Sequence, residues 1–490
     1  MTEPTLAEQL AAFASASTYD RLPPAVVDSV RGRVLDCLGI CIAATSLDTS
    51  RAATAWVAAQ GGTAQATAIG LPTAVPASQA AFVNGVLAHS LDYDDTHLPS
   101  VLHPSASVIP AALAVGQARG ADGRAVIAAI AVGLEVCVRV GMAGYDPSSG
   151  ASIFFEHGQH ATSICGALGA SVAAALLMGM DEAGIAHTLG VAASMASGIL
   201  ESNRTGGTVK RMHCGWAAHS GVSAAQLVAL GFTGPPTVFE GRFGFFEAWL
   251  HGNFNPDEIT AGLGTKWSVP DIFFKPYPAN HFTHAAIDAT LALRHRGLRP
   301  ADVESITVGV ATSTVRTVGE PIEVKRAPTT GYMAQFSAPF VVAAALFDGG
   351  GLGLGLDDFT DAAAMNPEYR ALMAKVSVEA DPECDAIFPH QFPAVLRVRT
   401  TDGRDLVEKV LSNRGGPQRP LSYDELSTKF RDNAGRVVDA DSVSRIQELV
   451  AGLEQLDDLS PLLGPLGGVS ASDVDQQRHT SQPKQEDIDV

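Results

Sequence analysis

The sequence predicts a mostly helical protein, with a large all-helical domain and a smaller α+β domain. Three observations favour this fold class. Apolar residues recur at helical spacing through the first half of the chain, whereas alternating strand patterns appear only later. The chain also has 490 residues, of which 46% are hydrophobic and 17% are charged, so it can bury a sizeable core in more than one domain.

The N-terminal half is predicted to be a series of closely packed helices. Pro23 and Pro24 precede an i, i+3, i+4, i+7 apolar pattern that runs from Val27 to Cys41. The longest uncharged apolar stretch, Ile164–Met180, is expected to be a buried helix and not a membrane span, because no Lys or Arg flanks it. Other helical patterns, rich in Ala and Gly and separated by Gly, Pro and Asp breakers, cover Ala77–His89, Ser105–Arg119, Gly123–Val140 and Thr162–Met178.

The pattern changes near Trp267–Tyr277, where the smaller domain is expected to begin. Alternating residues predict strands at Val303–Val310 and Lys375–Glu379. Two further strands, Ala394–Arg399 and Leu406–Val410, flank an Asp-Gly pair that is typical of a hairpin turn. Helical patterns of this domain cover His284–Arg294 and Met333–Leu346, and one at Asp441–Leu456 is expected to pack back on the first domain.

These patterns divide the chain into four parts. Ser412–Pro420 has the composition of a linker, and the last residues are polar and without periodicity, as in a disordered tail. The predicted parts are a helical domain at 1–268, an α+β domain at 269–412, a C-terminal segment with a returning helix at 413–466 and a tail at 467–490.

The charge balance excludes several classes of partner. Lys and Arg number 33 and Asp and Glu number 52, which gives a formal net charge of −19. Such a chain repels phosphate backbones and anionic lipids, so neither nucleic acid nor membrane is an expected partner.

The N-terminus has no apolar signal segment, and the six cysteines show no metal-binding spacing, so a cytoplasmic, reduced protein is expected.

The densest polar cluster runs from His89 to His103 and contains Asp92, Asp94 and Asp95. Three carboxylates within four positions, beside histidines, are costly to bury without a role. Acid–base chemistry on a small polar substrate is one interpretation and a divalent-metal site is another. A solvated helix end and loop is the third.

The second cluster lies at the predicted start of an apolar helix. His157 and His160 precede Thr162, and a helix N-terminus favours an anion and lowers the pKa of an imidazole. A helix cap or a core histidine is the plain alternative. The pair also has HxxH spacing, but no acidic third ligand follows at the spacing of a zinc protease.

Two basic clusters complete the set of candidates. Asn203–His213 combines a Gly-Gly turn with Lys210 and Arg211, which could bind carboxylates or could form an ordinary surface turn. Lys275 lies between aromatic residues and prolines, before His281 and His284, where the two domains meet. Such surroundings desolvate an ammonium group, and binding sites favour domain junctions, although a linker lysine is equally compatible.

With these clusters in this order, the chain resembles the MmgE/PrpD family. The family includes 2-methylcitrate dehydratases, cis-aconitate decarboxylases and iminodisuccinate epimerases. The resemblance implies a homodimer with a large helical domain and a smaller α+β lid, and a site between the two that needs no cofactor and no metal. The stretches that carry it are HSLDYDDTHLPSVLHPSASVIPAALAVG, GQHATSICGALGASVAAALLMGM, TVKRMHCGWAAHSGV, FEGRFGF, KPYPANHFTHAAIDA and AQFSAPFVVAAAL.

The resemblance also implies the site residues. Asp92 and Thr96 fall on the D-x-D-D-T motif of the family, His103 on its His-Pro and His160 on its Gly-Phe-His, where Gln159 replaces the aromatic residue. The other two implied positions are Lys210, on the V-K-R motif, and Lys275, before the proline-rich turn.

The implied chemistry is proton transfer next to a carboxylate of a small di- or tricarboxylic acid. We expect Lys210 and Lys275 to hold carboxylates and to stabilise enolate-like charge, with Arg211 as a further substrate contact. His103 and His160 would move protons, Asp92 would orient a histidine or a substrate hydroxyl, and Thr96 would hydrogen-bond the substrate. Asp94 and Asp95 are expected to support the loop.

The resemblance favours a lyase of dehydratase or decarboxylase type, because that is the commoner chemistry of the family. The site tyrosine that decarboxylases of the family share has no clear counterpart around Glu323, where the next tyrosine is Tyr332, and this weighs against decarboxylation. An epimerase of a small dicarboxylate such as iminodisuccinate is the second hypothesis, because it needs the same proton carriers. A non-catalytic helical protein that binds metabolites is the third.

Overall fold

The computed structural model describes residues 3–202 and 207–469, and it confirms the predicted fold class. A large helical domain carries a smaller domain built on a four-stranded sheet. The principal helices of the larger domain are Leu6–Ala16, Pro24–Ala44, Asp48–Gln60, Ala77–His89, Ser105–Arg119, Gly123–Ala143, Ala161–Leu177, Glu182–Met195 and Val209–Ala229. Shorter helices at Ile153–Glu156, Phe245–Leu250 and Asp257–Thr260 and a hairpin of β1 (Tyr145–Asp146) and β2 (Ala151–Ser152) complete it.

Glycine allows the helices that border the site to approach closely. Gly85 of Ala77–His89 faces Gly215 of Val209–Ala229, and a Cβ atom on Gly85 would lie 2.7 Å from the Gly215 Cα. Any side chain there would force the two helices apart. This contact brings the C-terminus of the first helix near the N-terminus of the second.

One helix of the described residues, Gly123–Ala143, is long and apolar enough to cross a membrane. Of its most apolar 18-residue window, 89% is buried inside the protein. The central helix of a helical core meets the same length and composition criteria, so this feature is weak evidence for a membrane span.

The smaller domain is a mixed sheet covered by helices. Its strands are β3 (Val303–Val310), β4 (Val376–Ala380), β5 (Ala394–Thr400) and β6 (Asp405–Val410), in the order β4-β3-β5-β6. The β3–β4 pair is parallel, whereas β5 is antiparallel to both β3 and β6. The helices of this domain are His284–His295, Thr312–Val318, Ile322–Lys325, Gly331–Ala334, Ala338–Phe347, Asp361–Ala364, Pro367–Met373 and Pro382–Asp385.

The C-terminal part of the chain returns to the helical domain. Tyr423–Ala434 packs along Pro24–Ala44, and Ala440–Ala451 buries Val443 and Ile446 in the same core. The short helix Ser460–Leu463 follows them. The helical core therefore includes residues from both ends of the chain, and a second core lies between residues 277 and 410.

Several elements differ from their predicted form. The helix predicted at Met333–Leu346 is split, because the Ser337 hydroxyl caps a new helix that starts at Ala338. Ser412–Pro420 is more than a linker, since the buried Asn413 side chain bonds the backbone of Phe392. The predicted domain boundaries stay predictions.

The predicted tail starts inside the described structure. Gly467 is buried and Val469 packs on the helical core, while residues 470–490 lie outside the described residues. Asn203 and Arg204 of the third sequence cluster lie outside them as well.

Candidate active site

The first sequence cluster forms a loop between Ala77–His89 and Ser105–Arg119. Asp92 has a left-handed backbone with φ +52°, which turns the chain sharply after the helix. Thr96 then pairs with Phe273, through hydrogen bonds of 2.8 and 2.7 Å between their backbones. This bridge ties the loop of the helical domain to the segment that carries Lys275.

Two lysines meet the Asp92 carboxylate. The Lys275 Nζ lies 3.4 Å from Asp92 Oδ1 and donates a 2.8 Å hydrogen bond to the Asp92 carbonyl, while the Lys210 Nζ lies 3.7 Å from the same Oδ1. Lys275 is only 1% exposed. Burial raises the pKa of the Asp92 carboxyl, but Lys275 and Lys210 outweigh burial and hold that pKa well below its usual range.

Lys210 is the more accessible of the two cations. Its side chain keeps 21% of its surface exposed, and no hydrogen bond from its ammonium to Asp92 holds it in place. Burial lowers its pKa, but Asp92, Tyr332 and Asp94 together outweigh burial, and the net pKa is raised. The ammonium therefore stays charged at neutral pH and can turn from Asp92 toward an incoming carboxylate.

His103 presents one free nitrogen to the site. Its Nδ1–H donates to the Asp95 carbonyl at 2.6 Å, and the Thr96 hydroxyl lies 3.3 Å from the same nitrogen. This contact fixes the tautomer and leaves Nε2 as the proton acceptor. Burial lowers the pKa of His103 to about 4, although Asp94 opposes the shift, so the ring is a neutral base at neutral pH.

His160 lies at the N-terminus of Ala161–Leu177, as the apolar pattern predicted. Its Nδ1 is 2.9 Å from the Nδ1 of His213, so one ring donates and the other accepts. Burial, with the charges of His89 and Lys210, lowers the pKa of His160 well below its usual value. The structure therefore adds His213 to the group as the direct hydrogen-bond partner of His160.

Asp94, and not Asp92, orients a histidine in this loop. The His89 Nδ1–H donates to Asp94 Oδ2 at 2.6 Å, whereas the described contacts of the Asp92 carboxylate are to the two lysines. The expected loop-supporting role thus fits Asp95, which bonds Arg33 and Ser105.

Arg211 lies apart from the central group. It lines a cavity of about 480 Å³ between the two domains, with Tyr332 and Gln335 on the opposite wall. Its guanidinium carbon is 5.5 Å from the centre of the Tyr332 ring, and its Nη1 donates to Thr49 at 3.3 Å. The structure thus places Arg211 on the wall of this cavity.

His281 belongs to the site region, although the sequence left it as a neighbour of Lys275. Both of its ring nitrogens are buried without a hydrogen-bond partner, and its ring centre lies 4.5 Å from that of His284. Burial lowers its pKa well below the usual value, and His284, Lys275 and His103 add to the shift. Its position six residues after Lys275, in the same motif, was the available signal.

Two buried ion pairs fix the back of the loop. Arg33 binds Asp95 at 2.7 Å and donates to the carbonyls of Val269 and Ile272, in the short helical turn that leads to Lys275. The second pair joins Lys429 to Asp36 at 2.7 Å. All four charged side chains are nearly inaccessible to solvent.

Lys429 connects the C-terminal segment to the site loop. Its Nζ donates to the Tyr93 carbonyl at 3.1 Å and lies 3.8 Å from the centre of the Tyr93 ring. The Tyr93 hydroxyl in turn donates to the Pro276 carbonyl at 3.0 Å. The returning C-terminal helix therefore positions the residue that follows Asp92 and the one that follows Lys275.

The described residues contain no group of three or more His, Cys, Asp and Glu side chains arranged to hold a metal ion. Asp94 and Asp95, which the metal interpretation needs, are engaged with His89 and Arg33. The Asp92 carboxylate faces two lysines, whose positive charges oppose a cation there.

Acid should destabilise the protein in the pH range where histidines titrate. Burial lowers the pKa values of His97, His103 and His213 to about 4. Between that value and the ordinary pKa of about 6.5, the unfolded chain binds more protons, so the free energy of unfolding falls as the pH drops through this window and is retained in full above it. We expect the Tm at pH 5 to be at least about 5 °C below that at pH 7.5. Scanning calorimetry measures this shift, and an equal Tm would contradict the burial of neutral imidazoles.

Comparisons with known proteins agree with this architecture. Residues 8–257 match the MmgE/PrpD N-terminal domain, and residues 277–455 match the MmgE/PrpD C-terminal domain. Cis-aconitate decarboxylase from Homo sapiens is 28% identical over 483 residues, covering 96% of each chain, and that from Mus musculus is 28% identical over 96% of this chain and 95% of its own. Cis-aconitate decarboxylase from Aspergillus terreus is 29% identical over 78% of this chain and 80% of its own. The chain therefore belongs to the MmgE/PrpD family, as a lyase of that family's type.

Proposed function

We propose that this protein decarboxylates a small tricarboxylic acid in the cleft between its two domains, with cis-aconitate as the first candidate. One observation carries the proposal. Lys210 and Lys275 meet at Asp92, and His103 and His160 both lie beside His89, in a chain that is similar, over nearly its whole length, to cis-aconitate decarboxylases.

The chemistry needs a place for negative charge. When CO₂ leaves an unsaturated acid, the electron pair of the broken C–C bond moves through the double bond to a carbon next to a remaining carboxylate. Lys275, fixed by Asp92, and Lys210, free to turn, would stabilise that charge. His103, once it has taken up a proton at Nε2, would then give that proton to the substrate carbon and complete the new C–H bond.

Tyr332 supports decarboxylation, although it lies nine residues beyond Glu323. It lines the same cavity as Arg211, whose guanidinium faces its ring, and the charge of Lys210 partly offsets the effect of burial on the pKa of its hydroxyl. Burial raises the pKa of the phenol while Lys210 opposes the shift, so the hydroxyl stays protonated at neutral pH and can donate to a substrate carboxylate. We infer that Tyr332 serves as the site tyrosine that decarboxylases of the family share.

NMR in D₂O with a panel of di- and tricarboxylates tests the proposal. We expect cis-aconitate to lose CO₂ and the product to carry one solvent deuterium, at the same rate with and without EDTA. Alkene formation from a hydroxy acid without CO₂ would point to a dehydratase, and exchange without net conversion to an epimerase. No reaction with any acid would overturn the proposal, and loss of activity with EDTA would overturn its metal independence.

Arg211→Gln should weaken substrate binding more than it slows the reaction. Arg211 lines the cavity between the two domains and lacks a carboxylate partner among the described ion pairs, so its charge is available to an anionic substrate. Loss of one charge-assisted hydrogen bond corresponds to a KM increase of roughly 10-fold or more, with kcat within about 3-fold. Steady-state kinetics measures the effects on KM and kcat separately, and Arg445→Gln, at an exposed position of Ala440–Ala451, is the control. An unchanged KM in Arg211→Gln would contradict this role.

We also propose a cytoplasmic homodimer. Large apolar side chains are exposed on and beside Val209–Ala229, and their solvent contact is costly in a monomer. They are Trp56, Met212, Trp216, Leu230 and Phe232. All six cysteines are free and buried, which suits a reducing compartment. Light scattering should give twice the monomer mass, and a monomer at micromolar concentration would contradict the dimer.

A further inference from the structure

His89 occupies the centre of the histidine group without an assigned role. It is the last residue of Ala77–His89, and its side chain is 1% exposed. The centre of its ring lies 5.4 Å from that of His103 and 5.6 Å from that of His160. It therefore stands between the two residues that the proposed function uses to move protons.

The two nitrogens of His89 have different surroundings. Nδ1–H donates to Asp94 Oδ2 at 2.6 Å, which fixes the tautomer and the ring plane. Nε2 is buried and has no hydrogen-bond partner. Buried polar atoms in folded proteins are nearly always paired, so an unpaired imidazole nitrogen calls for a functional explanation.

The charges around His89 suit an imidazolium that forms transiently. Asp94 and Asp92 face it and stabilise a positive ring, whereas His103, His160 and His213 are neutral neighbours because burial lowers their pKa values. A carboxylate bonded to one nitrogen also makes the other nitrogen a stronger base. Among the described contacts of this group of histidines, His89 has a direct hydrogen bond to a carboxylate, that of Asp94, and His103, His160 and His213 have none.

We propose that His89 is a proton relay between His160 and His103. Its Nε2 accepts a proton from His160 while Nδ1–H stays on Asp94, and the same Nε2 then passes a proton to Nε2 of His103. At the observed ring separations, a modest rotation or one bridging water would bring these nitrogens into hydrogen-bonding distance. As Nε2–H of His160 leaves, its Nδ1 accepts the Nδ1–H of His213, and His213 takes one proton from solvent. Each turnover thus carries one solvent proton to His103, which gives it to the substrate, and leaves His89, His160 and His213 neutral.

The relay rests on the proposed function, which creates the need for it. Decarboxylation adds one proton to a substrate carbon in every turnover, and His103 is half-buried with its Nδ1 engaged. It must be reprotonated before the next turnover. His160 and its partner His213, on the far side of His89, would supply that proton.

His89→Gln is the first test. Glutamine can donate its amide to Asp94 and fill most of the space, but it cannot carry a proton. We expect kcat for cis-aconitate to fall at least roughly 100-fold, with KM within about 3-fold and Tm close to that of the unmodified protein. His219→Gln is the matched control, because His219 bonds the Ser78 carbonyl outside the histidine group and should keep full activity.

Chemical rescue separates proton transfer from a structural role. In His89→Gly, added imidazole should restore part of kcat, and among imidazoles of similar size the more basic ones should restore more. Rescue that ignores basicity, or an inactive His89→Gln protein that cannot be rescued, would assign His89 a structural role and overturn the relay. Wild-type rates in His89→Gln would overturn it too and leave the proposed function standing. A wild-type protein that turns over no acid would overturn both.

Discussion

Replacing His103 by glutamine is expected to lower kcat by roughly 10²- to 10⁴-fold while KM changes only a few-fold. Glutamine can still donate to the Asp95 carbonyl, as the His103 Nδ1–H does at 2.6 Å, so the loop should keep its shape. It offers no basic nitrogen in place of Nε2. The loss would therefore fall on the proton-transfer step, which single-turnover kinetics with cis-aconitate can isolate.

Two further measurements make this result decisive. Tm and circular dichroism of His103→Gln should match those of the unmodified protein, because the site loop is held by Asp95 and Thr96 contacts that the variant retains. The pH dependence of kcat should also lose its alkaline limb, since the group that must be protonated to give the C–H proton is gone. Activity within about 10-fold of wild type would remove His103 from the proton-transfer role.

The large features of the fold were predictable because hydrophobic periodicity records them. Gly123–Val140 and Thr162–Met178 were predicted within a few residues of the helices at Gly123–Ala143 and Ala161–Leu177. The Asp-Gly pair likewise predicted the β5–β6 hairpin. In each case one local pattern decides one local structure.

The helix at Tyr423–Ala434 shows where periodicity fails. It carries Lys429 and Asn433 on its buried face, and a lysine in a predicted helix is ordinarily assigned to solvent. Only the partner on another helix, Asp36, explains the burial of that charge. Such a pair joins residues nearly 400 positions apart, so no local pattern contains it.

The candidate site also combines features that local motifs predict with features that only the folded structure shows. Short motifs predicted which residues would gather, and the structure brings Asp92, Lys210 and Lys275 within ion-pairing distance. The sequence did not predict which carboxylate would orient a histidine. Asp92 and Asp94 are the same residue type two positions apart, and the path of the loop backbone decides which of them faces His89. The left-handed backbone at Asp92 sets that path.

Arg33→Met should cost the protein about 3–5 kcal/mol of unfolding free energy and most of its activity. The substitution leaves the Asp95 carboxylate buried without a counter-charge, since Arg33 binds it at 2.7 Å with both side chains almost fully inaccessible. It also removes the donors to the Val269 and Ile272 carbonyls. Because these carbonyls lead into the segment of Lys275, the lysine should lose its position relative to Asp92.

Arg31→Met on the same helix is the control, because Arg31 forms partly exposed pairs that contribute about 0–1 kcal/mol. Urea unfolding should therefore separate the two variants clearly. Arg33→Met combined with Asp95→Leu should regain stability, since no unpaired charge remains, but not activity, because Ser105 and the His103 turn lose the carboxylate that anchors them. Equal stabilities of Arg33→Met and Arg31→Met would mean that this buried pair does not anchor the site loop.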